Sequence, residues 1–320
     1  MDKKTIILTG GHAGSTAAVV ITEIKRRQLN WKTVWIDEKA VPGKIQTIFT
    51  KSTLPDLFKI PLGLLKSFFV VLKIKPDLVL SFGGGSGSLV SFISFLLGIP
   101  VVIHEQTAVM GRGNKLTAKF AKKIAISRES SKEFFDSKKI VLTGNPINPL
   151  FNKIRNRDEV KTIFITGGSR GSEKINQTLV KILPTLLKKY KIIHQAGEKH
   201  AHKYRAFGKV DMLKTLTIVD IVIARAGANT VSEIIAAKKP SILIPIPWSY
   251  MNEQTKNAEF AESLGVARII SQNELTPEGL EIEIEKMVRD YPEIIKKIKN
   301  IVSPDLNASK KLVDLLVKLL

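Results

Sequence analysis

The 320-residue chain has no cysteine, which excludes disulfide frameworks, thiolate zinc sites and cysteine nucleophiles. Acidic residues are scarce: 29 Asp and Glu stand against 50 Lys and Arg, for a net charge of +21. Such an excess suits anionic partners, whether phosphorylated substrates, anionic lipid or nucleic acid. Nucleic acid is the least supported of these, because the chain has no zinc-finger spacing, no RNP-like aromatic motif and no long basic run. Long hydrophobic runs are also missing. The longest, residues 89–103, is broken by serines, a glycine and Pro100, and it falls short of the ~20 residues a spanning helix needs. The start, Met1-Asp2-Lys3-Lys4, leads directly into a strand-like run without a signal-peptide pattern, so the expectation is a cytoplasmic chain.

Three nucleotide signatures are absent as well. The glycines of Gly83-Gly84-Gly85-Ser86-Gly87 and Gly11-His12-Ala13-Gly14 do not fit the G-x-G-x-x-G register of dinucleotide sites. No Gly-Lys-Ser or Gly-Lys-Thr occurs, which argues against Walker-type ATP hydrolysis, and no Asp-x-Asp triplet is present to hold a divalent cation on a diphosphate. The expectation is therefore no cofactor and no metal. A bound diphosphate would be neutralised by backbone amides, helix dipoles and Lys or Arg side chains.

What the chain does have is an alternation of strand-like runs and helix-length segments. Strands are predicted over 5–9, 33–36, 78–82, 101–104, 123–127 and 140–143, then over 162–166, 191–194, 221–224, 241–245 and 267–270. That rhythm is the mark of parallel sheets wound with helices. Residues 146–158, with two prolines and three asparagines, interrupt it. The reading is an α/β chain with an N-terminal domain over 1–148, a linker over 149–158, a C-terminal domain over 159–303, and a terminal helix over 304–320 that can pack back on the N-terminal domain.

Glycine-bearing turns stand at the carboxyl ends of four predicted strands, over 10–15, 83–88, 167–172 and 226–230. In open parallel sheets that edge binds ligands, and helix N-termini there offer N–H groups to phosphates. In the stretch ARAGANTVSE a helix is expected to begin near Asn229-Thr230, with Glu233 in its first turn. That carboxylate either accepts hydrogen bonds from a vicinal diol such as ribose or complements the helix dipole. Gln254 and Asn257 lie three apart, on one face if helical, as sugar-binding amides or as an ordinary polar face.

The segments TGGSRGSEKINQ, HQAGE, ARAGANTVSE and QTKNA, together with GIPVVIHEQ, NKLTAKFAKKIA and TGNP, resemble the MurG family of N-acetylglucosaminyltransferases, in order from about residue 5 to 302. The resemblance implies a GT-B fold, two Rossmann-like domains with parallel sheets facing an interdomain cleft. It implies inverting, metal-independent transfer of N-acetylglucosamine from UDP-N-acetylglucosamine to the undecaprenyl-diphosphate-linked muramoyl-pentapeptide lipid I. The product would be lipid II of peptidoglycan synthesis. It also implies a peripheral place on the anionic cytoplasmic face of the cell membrane. Carried onto this sequence, Gly168, Ser169, Arg170 and Gly171 would hold the donor diphosphate, with Ala228, Asn229 and Thr230 at the phosphate and nucleoside edge. Glu233 would bind the ribose, Gln254 and Asn257 the N-acetylglucosamine, and the backbone near residues 209–212 the uracil. The acceptor would meet Gly11, Gly14, Gly84, His104, Thr107, Asn145 and Asn148.

The match breaks around the expected reaction centre. The family reads Gly-Gly-Thr-Gly-Gly-His where this chain has Gly10-Gly11-His12-Ala13-Gly14-Ser15, so Ser15 takes the histidine's place and His12 stands three positions earlier. His12 and Glu105 are the candidate general bases, with Ser15 as a third catalytic candidate. Turn capping and a structural carboxylate are the other readings of the first two. Thr107 replaces an asparagine, Asn148 an arginine, and Arg170 a glutamine. Residues 57–75 mix apolar Phe58, Leu65, Phe68 and Phe69 with Lys59 and Lys66, either a membrane-docking patch or a buried helix with snorkelling lysines. The alternatives to the lipid I reading are a GT-B transferase on another lipid acceptor and a nucleotide-sugar epimerase.

Overall fold

The computed structural model describes residues 3–10, 14–37, 45–46, 60–168, 171–197, 207–208 and 210–320. It contains two compact units, one of Met1–Ile147 with Asn307–Leu320, the other of Asn148–Leu306.

The sheet of the first unit runs β3-β2-β1-β4-β5-β6-β7, with every pair parallel. Its strands are β1 (Lys4–Thr9), β2 (Trp31–Asp37), β3 (Ile45–Gln46), β4 (Leu78–Ser81), β5 (Val101–Glu105), β6 (Lys123–Ile126) and β7 (Ile140–Leu142). The six strands expected in this half all form, and β3 is an addition too short to leave a periodic signal. The β1 run Ile6-Ile7-Leu8 is wholly buried because both faces of the sheet are covered. Ile6 and Leu8 pack with Ala17, Val20 and Ile24 of α1 (Gly14–Arg26). Ile7 points the other way, onto Val71 of α2 (Ile60–Ile74) and Val90 and Ile93 of α3 (Gly84–Leu96). A short α4 (Arg112–Thr117) follows β5.

The second sheet runs β12-β11-β10-β8-β9, again all parallel, from β8 (Thr162–Thr166), β9 (Lys191–Gln195), β10 (Ile221–Ala224), β11 (Ser241–Leu243) and β12 (Ala267–Ile269). Its helices are α5 (Glu173–Lys189), α6 (Met212–Ile218), α7 (Ala228–Ala237), α8 (Glu253–Ser263) and α9 (Pro277–Ile298). Ile163 and Ile165 of β8 pack with Ile175, Leu179 and Ile182 of α5 and Leu280, Ile284 and Met287 of α9.

Residues 149–158 are tied to the second unit. Pro149–Lys153 form a 3-10 turn that buries Phe151, the Asn156 amide donates to Lys238 O at 2.7 Å, and Arg157 pairs with buried Asp220. The last helix, α10 (Ala308–Val317), returns to the first unit. Leu312, Val313 and Leu316 join the cluster around Ile6 and Leu8, and Arg27, just past α1, bonds both Asp314 and the Lys310 carbonyl. Leu316→Ala is expected to cost about 2–5 kcal/mol by leaving a cavity there, seen as a lower urea midpoint for the transition reported by the tryptophans of β2.

Candidate functional site

Strand order locates the ligand edge of each unit. In the second sheet the chain passes from β8 to β9 on one side and then crosses to β10 on the other, so the connections leaving β8 and β10 diverge and open a crevice at the strands' carboxyl ends. The first sheet has the same switch between β1 and β4. All four glycine-bearing turns expected from the sequence leave these four strands.

In the second unit Gly171 ends the turn after β8 at φ +72, and a Cβ there would meet the Ala196 carbonyl at 2.3 Å, so only glycine fits. The amide of Gly168 donates to Thr166 Oγ1 at 2.9 Å. Ser172 caps α5, its hydroxyl accepting from Ile175 N at 3.4 Å. Ser169 and Arg170 lie outside the described residues.

The turn after β10 carries a residue the sequence reading passed over. Arg225 is 8% exposed, and its guanidinium donates to Ile244 O at 3.0 Å, to Ser172 Oγ at 2.6 Å and to Gln272 Oε1. All three acceptors are neutral, and no described carboxylate pairs with it. Burial alone pulls its pKa down to about 10, so it stays charged at neutral pH. The signal was an arginine between apolar Ile-Val-Ile-Ala and small Ala-Gly, with no acid within four residues. Next to it α7 begins at Ala228, Asn229 and Thr230, one residue before the expected start, and its N-cap Gly227 supplies no side-chain cap. The N-terminus of α7 thus offers N–H groups and partial positive charge beside a buried cation.

Glu233 stands in the second turn of α7, not the first. Dipole complementation fades beyond the first turn, so that reading does not explain it. Its half-buried carboxylate makes no hydrogen bond to any described residue, and burial lifts its pKa to about 7. Gln254 and Asn257 both lie on α8. Gln254 Oε1 accepts from Ile246 N at 3.1 Å, and buried Asn257 donates from Nδ2 to Ala226 O at 3.1 Å. The two amides hold the loops after β11 and β10. Of residues 209–212, Asp211 caps α6 by accepting from Lys214 N at 3.2 Å.

In the first unit Gly83 (φ +84) and Gly84 turn the chain from β4 into α3, and a Cβ on Gly83 would sit 3.1 Å from Asn114 Oδ1. Gly14 and exposed Ser15 open α1; Gly11 and His12 lie outside the described residues. Glu105, at the end of β5, accepts from Gly111 N at 2.7 Å, Asn114 Nδ2 at 2.9 Å, Thr107 Oγ1 at 3.0 Å and Thr107 N at 3.2 Å. Its side chain is buried, and desolvation raises its pKa against these donors. This is the geometry of a carboxylate that shapes the 107–114 loop, the structural reading of that residue. His104 and Asn145, expected to meet the acceptor, are 0% exposed. They sit at or just past the carboxyl ends of β5 and β7 but are enclosed there, and His104 Nε2 lies 3.0 Å from Gly144 O. Thr107 Oγ1 is 2.6 Å from Val109 O, and Asn148 Oδ1 accepts from Leu150 N at 3.0 Å.

The apolar segment after residue 60 is not a buried helix. Gly63, Ser67 and Val71 of α2 face inward, while Leu65, Phe68 and Phe69 are exposed. Phe58 and Lys59 lie outside the described residues. Packed beside α2, α3 adds exposed Phe92, Phe95 and Leu96, and Phe120 stacks on Phe95 at 5.0 Å. The contribution of α3 went unread because its serines mask the pattern. No described helix is long and apolar enough to cross a membrane.

Residues 15–126 match the glycosyltransferase family 28 N-terminal domain, and residues 162–315 match the glycosyltransferase family 28 C-terminal domain. A Pediococcus pentosaceus protein named UDP-N-acetylglucosamine--N-acetylmuramyl-(pentapeptide) pyrophosphoryl-undecaprenol N-acetylglucosamine transferase is 34% identical, over 94% of this chain and 92% of its own length. A Flavobacterium psychrophilum protein of the same name is 32% identical, over 100% of this chain and 98% of its own. The chain belongs to glycosyltransferase family 28. Among solved structures, MurG of Acinetobacter baumannii superposes with a TM-score of 0.72 at 26% identity, covering 99% of this chain and 100% of that one. The family 28 chain also shares its fold with UDP-GlcNAc 2-epimerase of Neisseria meningitidis, at a TM-score of 0.72 and 18% identity over 99% of this chain and 100% of that one. Both likenesses agree with the GT-B expectation.

The raised pKa of Glu233 has a consequence for stability with a definite sign. The folded state prefers the protonated acid, so this contribution is present in full below the ordinary value of 4.5 and is lost as pH rises through about 7. Glu233→Gln is expected to flatten the wild-type fall in melting temperature between pH 5 and pH 8, leaving the variant the more stable protein at pH 8.

Proposed function

We propose that the chain transfers N-acetylglucosamine from UDP-N-acetylglucosamine to an undecaprenyl-diphosphate-linked muramoyl-pentapeptide, with inversion and without a metal ion. The observation that carries this reading is the group of cationic features at the β8/β10 switch point. Arg225 has only neutral acceptors around its guanidinium and stands beside the start of α7, whose N-cap Gly227 has no side chain to offer, so this edge carries positive charge that a diphosphate would neutralise. The family relationship adds the identity of the sugar nucleotide and acceptor, which the relatives' names state.

In this mechanism the diphosphate lies against the Gly168–Gly171 turn and the start of α7, and Glu233 accepts hydrogen bonds from the ribose hydroxyls. The acceptor sugar's hydroxyl oxygen attacks the anomeric carbon from the face opposite the leaving group. The bond from that carbon to the β-phosphate oxygen breaks, and UDP departs with the electron pair. Charge accumulating on the β-phosphate is stabilised by N–H donors, the Arg170 side chain and the field of Arg225. The acceptor's proton passes to His12, since a serine hydroxyl at position 15 is no base near neutral pH and the Glu105 carboxylate is enclosed by its own loop. The lipid acceptor is met at an anionic membrane surface, on which the aromatic face of α2 and α3 lies with Lys66 and its neighbours at the headgroups.

Release of UDP from UDP-N-acetylglucosamine in the presence of a soluble lipid I analogue tests the reaction. Acceptor-dependent release is expected to survive EDTA, and His12→Ala is expected to lower kcat about 10²-fold or more while Ser15→Ala keeps activity within a few-fold. Confirmed UDP binding with no acceptor-dependent release would overturn the acceptor. For the membrane surface, Phe69→Ser with Phe95→Ser is expected to weaken binding to phosphatidylglycerol vesicles at least about tenfold, given ~1.5–3 kcal/mol per buried phenylalanine, with UDP affinity unchanged.

A further inference from the structure

The strands of the second sheet begin at the edge opposite the β8 and β10 turns, and a cavity of about 680 Å³ opens there. Three separate stretches of chain form its wall: residues 154–158 ahead of β8, Lys238 at the end of α7, and the last turns of α9. Four of the lining side chains are cations, Arg155, Lys238, Lys296 and Lys299, and one is an acid, Asp158.

Several cations elsewhere in this unit have acidic partners. Arg268 pairs with Glu283 and Asp290, and Lys189 with Glu285. Around the cavity, Arg155, Lys296 and Lys299 pair with no described acid. The carboxyl ends of α7 and α9 meet here and answer about half a charge each, which with Asp158 leaves roughly two positive charges unanswered. The nearby buried acid, Asp220, does not reduce that excess, because Arg157 reaches it at 3.4 Å and Lys239 lies close by with its ammonium on Val219 O at 2.7 Å.

The wall is also firmly built. Lys238 adopts a left-handed conformation at φ 53, its ammonium donates to Lys299 O at 2.7 Å, and its own carbonyl accepts from the Asn156 amide at 2.7 Å.

We infer that this cavity is a second anion site, selective for multiply charged phosphates and separate from the donor turn on the opposite edge of the sheet. Its ligand is a polyphosphate-like group, carried either on a soluble molecule or on a lipid headgroup. A single carboxylate carries too little charge and too few acceptors for four cations spread around a cavity of this size, whereas linked phosphates supply several acceptors at once. The inference does not depend on the transferase reading, because no residue of the donor turn takes part.

The probe is inorganic tripolyphosphate, titrated calorimetrically into the full chain at saturating UDP so that the donor edge is occupied. The wild type is expected to bind one equivalent with an affinity that falls steeply with salt, and Lys296→Gln with Lys299→Gln to weaken it at least tenfold without altering UDP affinity. Arg155→Gln, at an exposed side chain outside any helix, gives an independent variant with the same expected direction. Equal binding by wild type and both variants, or no binding by the wild type, would overturn the inference. Phosphatidylcholine vesicles doped with cardiolipin, whose headgroup carries two linked phosphates, distinguish the source: a matching loss of vesicle affinity in the double variant assigns the headgroup, and unchanged vesicle affinity with lost tripolyphosphate binding assigns a soluble phosphate.

Discussion

A guanidinium charge held at 8% exposure with only neutral acceptors around it is costly to bury, and the second unit is arranged so that this charge is useful. Arg225 leaves the end of β10 and reaches Ser172 at the foot of the turn after β8, the carbonyl of Ile244 just past β11, and Gln272 beyond β12. One side chain therefore gathers the carboxyl ends of four strands. An acidic partner would have neutralised it and removed the attraction for a phosphate. Hydroxyl, amide and carbonyl oxygens instead satisfy its N–H groups while leaving its field to act on a ligand.

The first unit solves the corresponding problem with the opposite charge. Glu105 ends β5 and takes four hydrogen bonds from the loop and the helix α4 that follow, and the side chain of Asn114 that bonds it also closes against Gly83. The turn after β4 and the loop after β5 are thereby fixed to each other. In both units, then, a buried ionisable group at a strand end sets the shape of the loops, and glycine at the contact points lets the backbones approach.

Family membership and geometry bear on different parts of the functional reading. The relatives' names speak to sugar nucleotide and acceptor, while the geometry speaks to how a diphosphate is held. The segment Gly10-Gly11-His12-Ala13-Gly14-Ser15 is where the two meet, since its histidine stands three positions before the one the family resemblance expects. The apolar face of α2 and α3 is a second such place: exposed aromatics on adjacent helices do not suit a surface that meets only water.

How much of this was legible in the sequence depends on the range of the interaction concerned. Strand and helix rhythm, the two halves, the four glycine turns and the family resemblance are local patterns, and the chain displays them directly. Gln254 and Asn257 were found by spacing, but that they clasp the loops after β11 and β10 follows from packing α8 against those loops. Glu233 was read into the first turn and lies in the second, a difference of a residue or two at a helix start whose cap is a glycine. Arg225, the enclosure of His104, Glu105 and Asn145, and the exposed aromatic face of α3 were decided only by tertiary structure. Each depends on residues tens of positions apart meeting at a sheet end or a helix pair. The order of hydrophobic and small residues along the chain determined by itself that parallel sheets form and where their turns lie; which side chains at those turns are buried and which face a ligand was set by strand order, because burial belongs to neighbours in space.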